Sequence, residues 1–318
     1  MVLLGTCVCL GAFGMGRGEN KLQQNGVWYL WRQNGTTAAI TRVDRSKDVS
    51  IMSNIDGLQV TSIGKDALKG KGLMSVSIPE GITSIDDSAF RNNALVNVNL
   101  PVSLRQIGAG AFDNNQLTGI TIPEGVTVIK GYTFRNNRLV SVSLPDTIIH
   151  IEAGAFSENV LTGTLDLPQN LVTIAAYAFS KNQLTGVKIP EQLREIGVFA
   201  FSDNILSSIS FPQGLTEIPA GVCLNNRLTS VTIPDSVTVI GERAFAFNQL
   251  NAVVIPGSVK EIQKSAFDDN QIRSITIGSN VELHRTSFPN NFAAFYNHEK
   301  NGKRAGTYQF ADYTWSMR

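Results

Sequence analysis

The chain has 318 residues, of which 42% are hydrophobic, and its 27 basic and 26 acidic residues give a net charge of +1 at pH 7. Neither sign of charge gathers into a long run, so composition gives no electrostatic case for binding nucleic acid or an anionic membrane surface. The length alone would indicate two compact domains, but an internal repeat makes that count inapplicable.

Residues 1–16 hold the long apolar run of the chain, with the small residues Ala12 and Gly14 at a spacing that suits a signal peptidase. This pattern predicts an export signal and therefore a cell-surface or extracellular protein, although the usual basic residue before the apolar run is missing. A lipid-anchored form through Cys7 or Cys9 is the alternative. The run is too short to span a membrane, so no transmembrane span is expected.

Residues 17–56 are expected to form a linker followed by an N-terminal cap. The polar, aperiodic residues 17–25 indicate the linker. Two β-prone runs on either side of Asn34-Gly35 then predict a hairpin that covers the open end of the fold. Trp28 and Trp31 in this hairpin could instead form a carbohydrate platform.

Residues 57–292 repeat a motif of the form Leu-x-x-Val-x-Ile-Pro every 22 positions, with one step of 23 between Pro145 and Pro168. A strict period in the twenties is typical of a solenoid. We count ten repeats and a shortened last turn, and we expect the extra residue to bulge out near residues 161–165.

Within one repeat, alternation predicts a strand with one buried and one exposed face. Val142 and Leu144 point inward, while Ser141 and Ser143 point outward. The segment 129–134 is too short for a standard helix, so we expect a 3₁₀ or single helical turn there.

Two further columns recur at the repeat period. The first is a column of asparagines whose amides are expected to satisfy backbone groups of their own turn and the next one: Asn93, Asn115, Asn137, Asn159, Asn182, Asn204, Asn226, Asn248 and Asn270. The second is a column of phenylalanines: Phe90, Phe112, Phe134, Phe156, Phe179, Phe201, Phe245 and Phe267. Cys223 stands in the phenylalanine slot of its repeat and is expected to be a buried, unreactive thiol.

The run Leu-x-x-Val-x-Ile-Pro-x-x-Val-Thr-x-Ile-Gly-x-x-Ala-Phe at residues 228–245 resembles the BspA-like leucine-rich repeat family, short-repeat surface proteins of the spirochaete type. The resemblance covers about residues 40–318. It implies a β-rich leucine-rich-repeat solenoid with a parallel β-sheet on one side and short turns on the other. For function it implies adhesion, through binding to host or neighbouring-cell surface or matrix proteins. Many members carry Cys where this chain has the repeated Asn.

Residues 293–318 leave the repeat and become aromatic around Asn301-Gly302. They predict a C-terminal cap, so the solenoid is expected to carry aromatic hairpin caps at both ends.

The outward strand residues are the candidate binding surface, because on a solenoid they form one continuous concave sheet. Such a hydroxyl-rich face suits broad contact with a protein or a glycan. The alternative is that the small residues have no binding role and only fit the curvature of the sheet and keep it soluble. The candidates are Ser141, Ser143, Asp166, Lys188, Ser208, Ser210, Ser230 and Thr232.

No enzyme chemistry, metal site or cofactor is expected. The three histidines, His150, His284 and His298, stand in different repeats or caps without a nucleophile or ligand spacing beside them. Two hypotheses remain: an adhesin or protein-interaction module, and a structural or glycan-binding protein of the cell envelope.

Overall fold

The computed structural model describes residues 18–44, 46–298 and 301–317. The predicted export signal, residues 1–16, lies outside these ranges. The described chain is a β-solenoid built from short strands and tight turns, and its one helix is the six-residue α1 (Phe292–Asn297) near the C-terminal end. The predicted solenoid is therefore confirmed.

The N-terminal cap begins with three antiparallel strands, β1 (Asn20–Gln24), β2 (Val27–Asn34) and β3 (Thr37–Val43). The predicted hairpin is β2–β3, in which Asn34 pairs with Thr37 and Gly35 has a φ of 61°. A glycine with positive φ at this place is typical of a tight two-residue turn.

The assignment of residues 17–25 to a linker is wrong, because β1 pairs along its whole length with β2. The turn that joins them is Asn25-Gly26, with φ values of 51° and 79°, as a type I′ hairpin requires. Strand β1 has few apolar residues because it lies at the edge of the sheet. Its Lys21 side chain packs over the Trp28 ring of β2, with Nζ 4.2 Å from the ring centre.

The front ladder is the row of parallel strands that carries the candidate surface. Its strands are β4 (Asp48–Ser50), β7 (Ser75–Ser77), β10 (Gly119–Thr121), β12 (Ser141–Ser143), β14 (Thr162–Asp166), β16 (Gln183–Lys188), β18 (Ser208–Ser210), β20 (Ser230–Thr232), β22 (Ala252–Val254) and β24 (Ser274–Ile277). The ladder is broken into short groups rather than forming one continuous sheet, and residues 97–99 are not a regular strand. Strand β4 lies within the predicted cap.

The second ladder runs along another side of the solenoid and was not predicted as strands. Short β5 (Asn54–Ile55) pairs with its first member. The ladder consists of β6 (Leu58–Ile63), β8 (Ser84–Ile85), β9 (Gln106–Ile107), β11 (Val128–Ile129), β13 (His150–Ile151), β15 (Thr173–Ile174), β17 (Glu195–Ile196), β19 (Glu217–Ile218), β21 (Val239–Ile240), β23 (Glu261–Ile262) and β25 (Glu282–Leu283). Strand β3 of the cap pairs in parallel with β6 and so covers the end of this ladder.

Pro219 accounts for one interruption of the second ladder, which falls between β17 and β19. In neighbouring repeats the residue after the buried isoleucine donates its backbone N–H to the previous turn, as Ala175 does to Ile151 at 2.8 Å and Gly241 to Ile218 at 2.8 Å. Proline has no N–H to donate, so this bond cannot form. A further interruption lies between β9 and β11.

The turn edge is the side of the solenoid between the second ladder and the asparagine column. In one repeat, the Thr133 N–H bonds to the Lys130 carbonyl at 3.3 Å and the Arg135 N–H to the Tyr132 carbonyl at 3.2 Å. Tyr132 has a φ of 58°, and a left-handed residue interrupts a right-handed helix. The segment expected to be a 3₁₀ or single helical turn therefore forms two successive tight turns.

The phenylalanine column is confirmed as a stack of nearly parallel rings. Consecutive centroids from Phe90 to Phe201 are 5.1 to 5.8 Å apart. Phe288, in the shortened last turn, extends the column at 4.7 Å from Phe267. Cys223 interrupts the stack and is fully buried.

The asparagine column is also confirmed, with one correction to its direction. The Asn137 side-chain amide donates to the carbonyls of Phe134 at 3.1 Å and Phe112 at 3.0 Å, and its Oδ1 accepts the Leu117 N–H at 3.0 Å. Each amide thus joins its own turn to the preceding one, rather than the next. These bonds satisfy backbone groups that would otherwise be buried without partners.

The extra residue of the 23-residue repeat bulges out as predicted. The pairing of β14 with β16 shifts register between Gly163 and Thr164, and Gly163 has a φ of 70°. The bulge leaves the following strand residues in register with those of the next repeat.

The C-terminal cap is a hairpin of β26 (Gly306–Ala311) and β27 (Thr314–Met317), and β26 pairs antiparallel with β24. The hairpin turns at Asp312-Tyr313, whose φ values are 49° and 62°, and not at Asn301-Gly302, which lies between α1 and β26. The Phe292 ring packs edge-on against Tyr308 and Trp315, at 5.4 and 4.8 Å between centroids.

Candidate functional site

All eight candidate residues lie on the outward side of the front ladder and are exposed. The structure brings six of them together in cross-strand pairs: Ser208 with Ser230, Ser210 with Thr232, and Asp166 with Lys188. Ser141 and Ser143 lie side by side on β12.

The outward position of these side chains follows from the strand alternation. Between Ser208 and Ser210, the Ile209 side chain is buried in the core, and Val142 between Ser141 and Ser143 is half-buried against it. Neighbouring residues of a strand point to opposite faces, so burial of the apolar residue exposes both hydroxyls.

Asp166 and Lys188 are direct partners in the pairing of β14 with β16, and Lys188 Nζ lies 2.9 Å from Asp166 Oδ1. Both side chains are more than 70% exposed, at 72% and 74%. An exposed pair of this kind contributes about 0–1 kcal/mol to stability. The pair therefore leaves this part of the ladder electrically neutral at little energetic gain.

A shallow depression of about 600 Å³ lies on the N-terminal half of the front ladder. Gly119 lines it and contributes no side chain, with Asn97 on one side and Ser141 on the other. A shallow depression lined by both polar and apolar residues can hold one protruding side chain of a partner.

Sequence reasoning missed an apolar row beside the candidate hydroxyls. Met74, Val96 and Val140 occupy the slot just before the outward strand residues, and these residues are 53%, 40% and 49% exposed. The signal was present in the sequence as apolar residues separated by 22 or 44 positions. Together with the hydroxyls, this row gives the N-terminal half of the front ladder an amphipathic surface.

The chemistry that this surface offers is hydrogen bonding and apolar contact. Within the described ranges, no group of three or more His, Cys, Asp or Glu residues is arranged to hold a metal ion. His150 lies on the second ladder, where its Nδ1 is 2.7 Å from Thr173 Oγ1. No helix in the described part of the chain is long and apolar enough to cross a membrane.

The family model for the BspA type leucine rich repeat region, in 6 copies, matches residues 61–185 and 172–294. A comparison with curated proteins found no match. Among solved structures, a leucine-rich repeat protein from Bacteroides ovatus is 22% identical, with 86% of this chain and 89% of that chain covered and a TM-score of 0.50. The pneumococcal vaccine antigen PcpA is 19% identical, with 85% and 91% covered and a TM-score of 0.55.

At these identities the two structures show a shared fold. The family match spans most of the solenoid. The chain therefore belongs to the BspA-type leucine-rich repeat family.

Proposed function

We propose that the protein is an exported bacterial adhesin or interaction module that binds proteins through the front ladder. The partners would be surface or matrix proteins of a host or of neighbouring cells. One observation carries the proposal: the outward side chains on successive strands of the front ladder are small, exposed and largely uncharged. They leave a wide area of the ladder open to contact with a partner.

The amphipathic character of this row supports a protein partner. Hydroxyls on β12, β18 and β20 can exchange hydrogen bonds with a partner's surface, and Met74, Val96 and Val140 offer apolar contact on the N-terminal half of the same ladder. Interfaces between proteins combine these two kinds of surface. The leucine-rich repeat fold is itself typical of interaction scaffolds.

The proposal is tested with a panel of purified host matrix proteins and cell-wall polysaccharides, measured by surface plasmon resonance. Placing arginine at Ser141, Ser208 and Ser230 should abolish binding to the protein partner, because the long side chains block the face. The matched control carries arginine at three exposed threonines before second-ladder strands, Thr127, Thr216 and Thr238, and should bind like the unmodified chain.

A partner that binds the front-ladder variant unchanged would contradict this assignment, and so would binding of the panel's polysaccharides alone through this face. Cell-surface location is tested separately, by protease treatment of intact cells. Full protection of the protein in cells that remain intact would contradict a location on the cell surface.

A further inference from the structure

The turn edge carries a polar cluster that forms only when successive repeats stack. We name it the turn-edge cluster. Its members are separated by 22 or 44 positions in the sequence or lie within one turn, and they are Arg91, Asn92, Asp113, Asn114, Tyr132, Arg135 and Asn136. It lies outside the front ladder and has no part in the proposed protein-binding face.

Asp113 organises the cluster. Its carboxylate accepts from Arg135 Nε at 3.0 Å and Arg135 Nη2 at 2.9 Å, and Arg91 Nε lies 2.9 Å from its Oδ2. The Asp113 side chain is only 3% exposed, whereas both arginines are about one-third exposed, at 38% for Arg91 and 32% for Arg135. Two guanidinium groups therefore share one buried carboxylate, and these three side chains carry one net positive charge; the exposed Glu158 carboxylate on the next turn lies near enough to act on Arg135.

Tyr132 is held in a backbone conformation that does not favour it. Its φ is 58°; the same slot holds Gly110 and Gly154, both at 60°, in the flanking repeats, and Ser88 at 56° and Phe199 at 57° in others, so the turn itself imposes this conformation. A side chain in this region costs about 1–2 kcal/mol. Tyr132 is nonetheless 46% exposed, so much of its surface remains open to solvent.

The surroundings of the Tyr132 ring fit it closely. The Arg135 guanidinium carbon lies 4.7 Å from the ring centre, and a side chain at Gly154 would come within 2.6 Å of the ring. Gly154 thus leaves space for the ring on the next turn. The Tyr132 ring and the Arg135 guanidinium together therefore present an exposed aromatic–cation pair.

A row of exposed amides runs along the same edge. Asn114 Nδ2 donates to Asn92 Oδ1 at 3.0 Å, and Asn136 Nδ2 donates to Asn114 Oδ1 at 2.9 Å. The row repeats once per solenoid turn, at the spacing of paired strands, about 4.8 Å. It therefore offers uncharged hydrogen-bonding groups in a line parallel to the solenoid axis.

We propose that the turn-edge cluster binds an acidic polysaccharide. The apolar face of one sugar ring would contact Tyr132, a sugar carboxylate would accept hydrogen bonds from Arg91 and Arg135, and hydroxyls would bond to the amide row. An acidic linear glycan matches all three parts, since it combines apolar ring faces, hydroxyl edges and regularly spaced carboxylates. A neutral glycan leaves the positive charge unmatched.

The test uses isothermal titration calorimetry with oligomers of galacturonic acid and with neutral galactose oligomers of the same length. The acidic oligomer should bind at least tenfold more tightly. Tyr132→Gly should weaken that binding at least tenfold without lowering the melting temperature, because glycine suits the left-handed backbone. Arg91→Gln, which leaves the paired bonds between Arg135 and Asp113 in place, should weaken it similarly.

Tyr177→Gly is the matched control, since Tyr177 has the same φ of 58° and the same 46% exposure but lies outside the cluster. It should leave oligomer binding unchanged, as should the three arginines on the front ladder. No binding of the acidic oligomer, equal binding of both oligomers, or full binding by Tyr132→Gly would overturn the proposal. If the front ladder proved not to bind a protein, the results expected for the galacturonic acid oligomers would stay the same.

Discussion

The ring of Phe211 lies edge-on against the ring of Phe245, with centroids 6.1 Å apart and planes inclined at 63°. Phe211 occupies the slot before a repeat proline, where the neighbouring repeats have Ile189 and Ile233. Cys223 occupies the position between Phe201 and Phe245 in the phenylalanine column, so this turn contributes no aromatic ring to the column. The larger side chain at position 211 therefore supplies aromatic volume at the level where the column lacks it.

We expect Cys223→Phe to destabilise the protein by about 1–3 kcal/mol, because Phe211 already fills part of the space that a new ring needs. Combining it with Phe211→Ile, which restores the usual residue, should recover most of that loss. Urea unfolding of both single variants and the double variant measures the coupling. Additive effects of the two substitutions would show that the sites do not share space.

The Cys223 thiol should resist alkylation in the native protein. Complete burial raises the pKa of this thiol, so the reactive thiolate does not form, and reagents cannot reach the sulfur. Labelling followed by mass spectrometry across a urea series should show modification only as the chain unfolds. Rapid labelling without urea would contradict the burial of this residue.

Asn182→Leu should destabilise the protein by several kcal/mol. It removes the bonds of the Asn182 amide to the carbonyls of Phe156 and Phe179 and to the Leu161 N–H, and each unpaired buried group costs about 1–3 kcal/mol. The adjacent Lys181→Ala should cost less than about 1 kcal/mol, since the ion pair of Lys181 with Glu158 is long and exposed. Equal shifts in the urea midpoint would contradict the role of the asparagine column.

Deletion of Gly163 should change stability by less than about 1 kcal/mol, because the residue is exposed, lies in the bulge and costs backbone entropy in the folded state. Deletion of Gly186, which pairs with Thr164 inside the ladder, should be far more harmful. A one-residue shift turns every following side chain of the strand to the other face. Similar melting temperatures for the two deletions would contradict this distinction.

The repeat period made the solenoid and its columns predictable. Once residues 22 apart are known to stack, the positions of Asn137 and Phe134 follow from the sequence, and so does the outward direction of Ser141 and Ser143. The extra residue at Gly163 could be placed for the same reason.

Features that break the period could not be placed in this way. Strand β4 was missed because Val49 precedes Val76 by 27 positions, and β1 was missed because its polar residues suit a sheet edge. The second ladder contributes only two residues in most repeats, too few to show alternation. The turn-edge cluster does keep the period, since Arg91, Asp113 and Arg135 stand 22 residues apart, but the period alone does not show that these side chains pair with one another.

Two interruptions described above fall near one level of the solenoid: Pro219 breaks the second ladder, and Cys223 breaks the ring column. The asparagine column and the front ladder still cross this level, through the bond of Asn226 to the Phe201 carbonyl and the pairing of β18 with β20. In mechanical terms, this is a level at which both the second ladder and the ring column are interrupted. A pulling force applied to the two ends of the chain should therefore split the molecule at this level into two blocks, each keeping its own stacked rings.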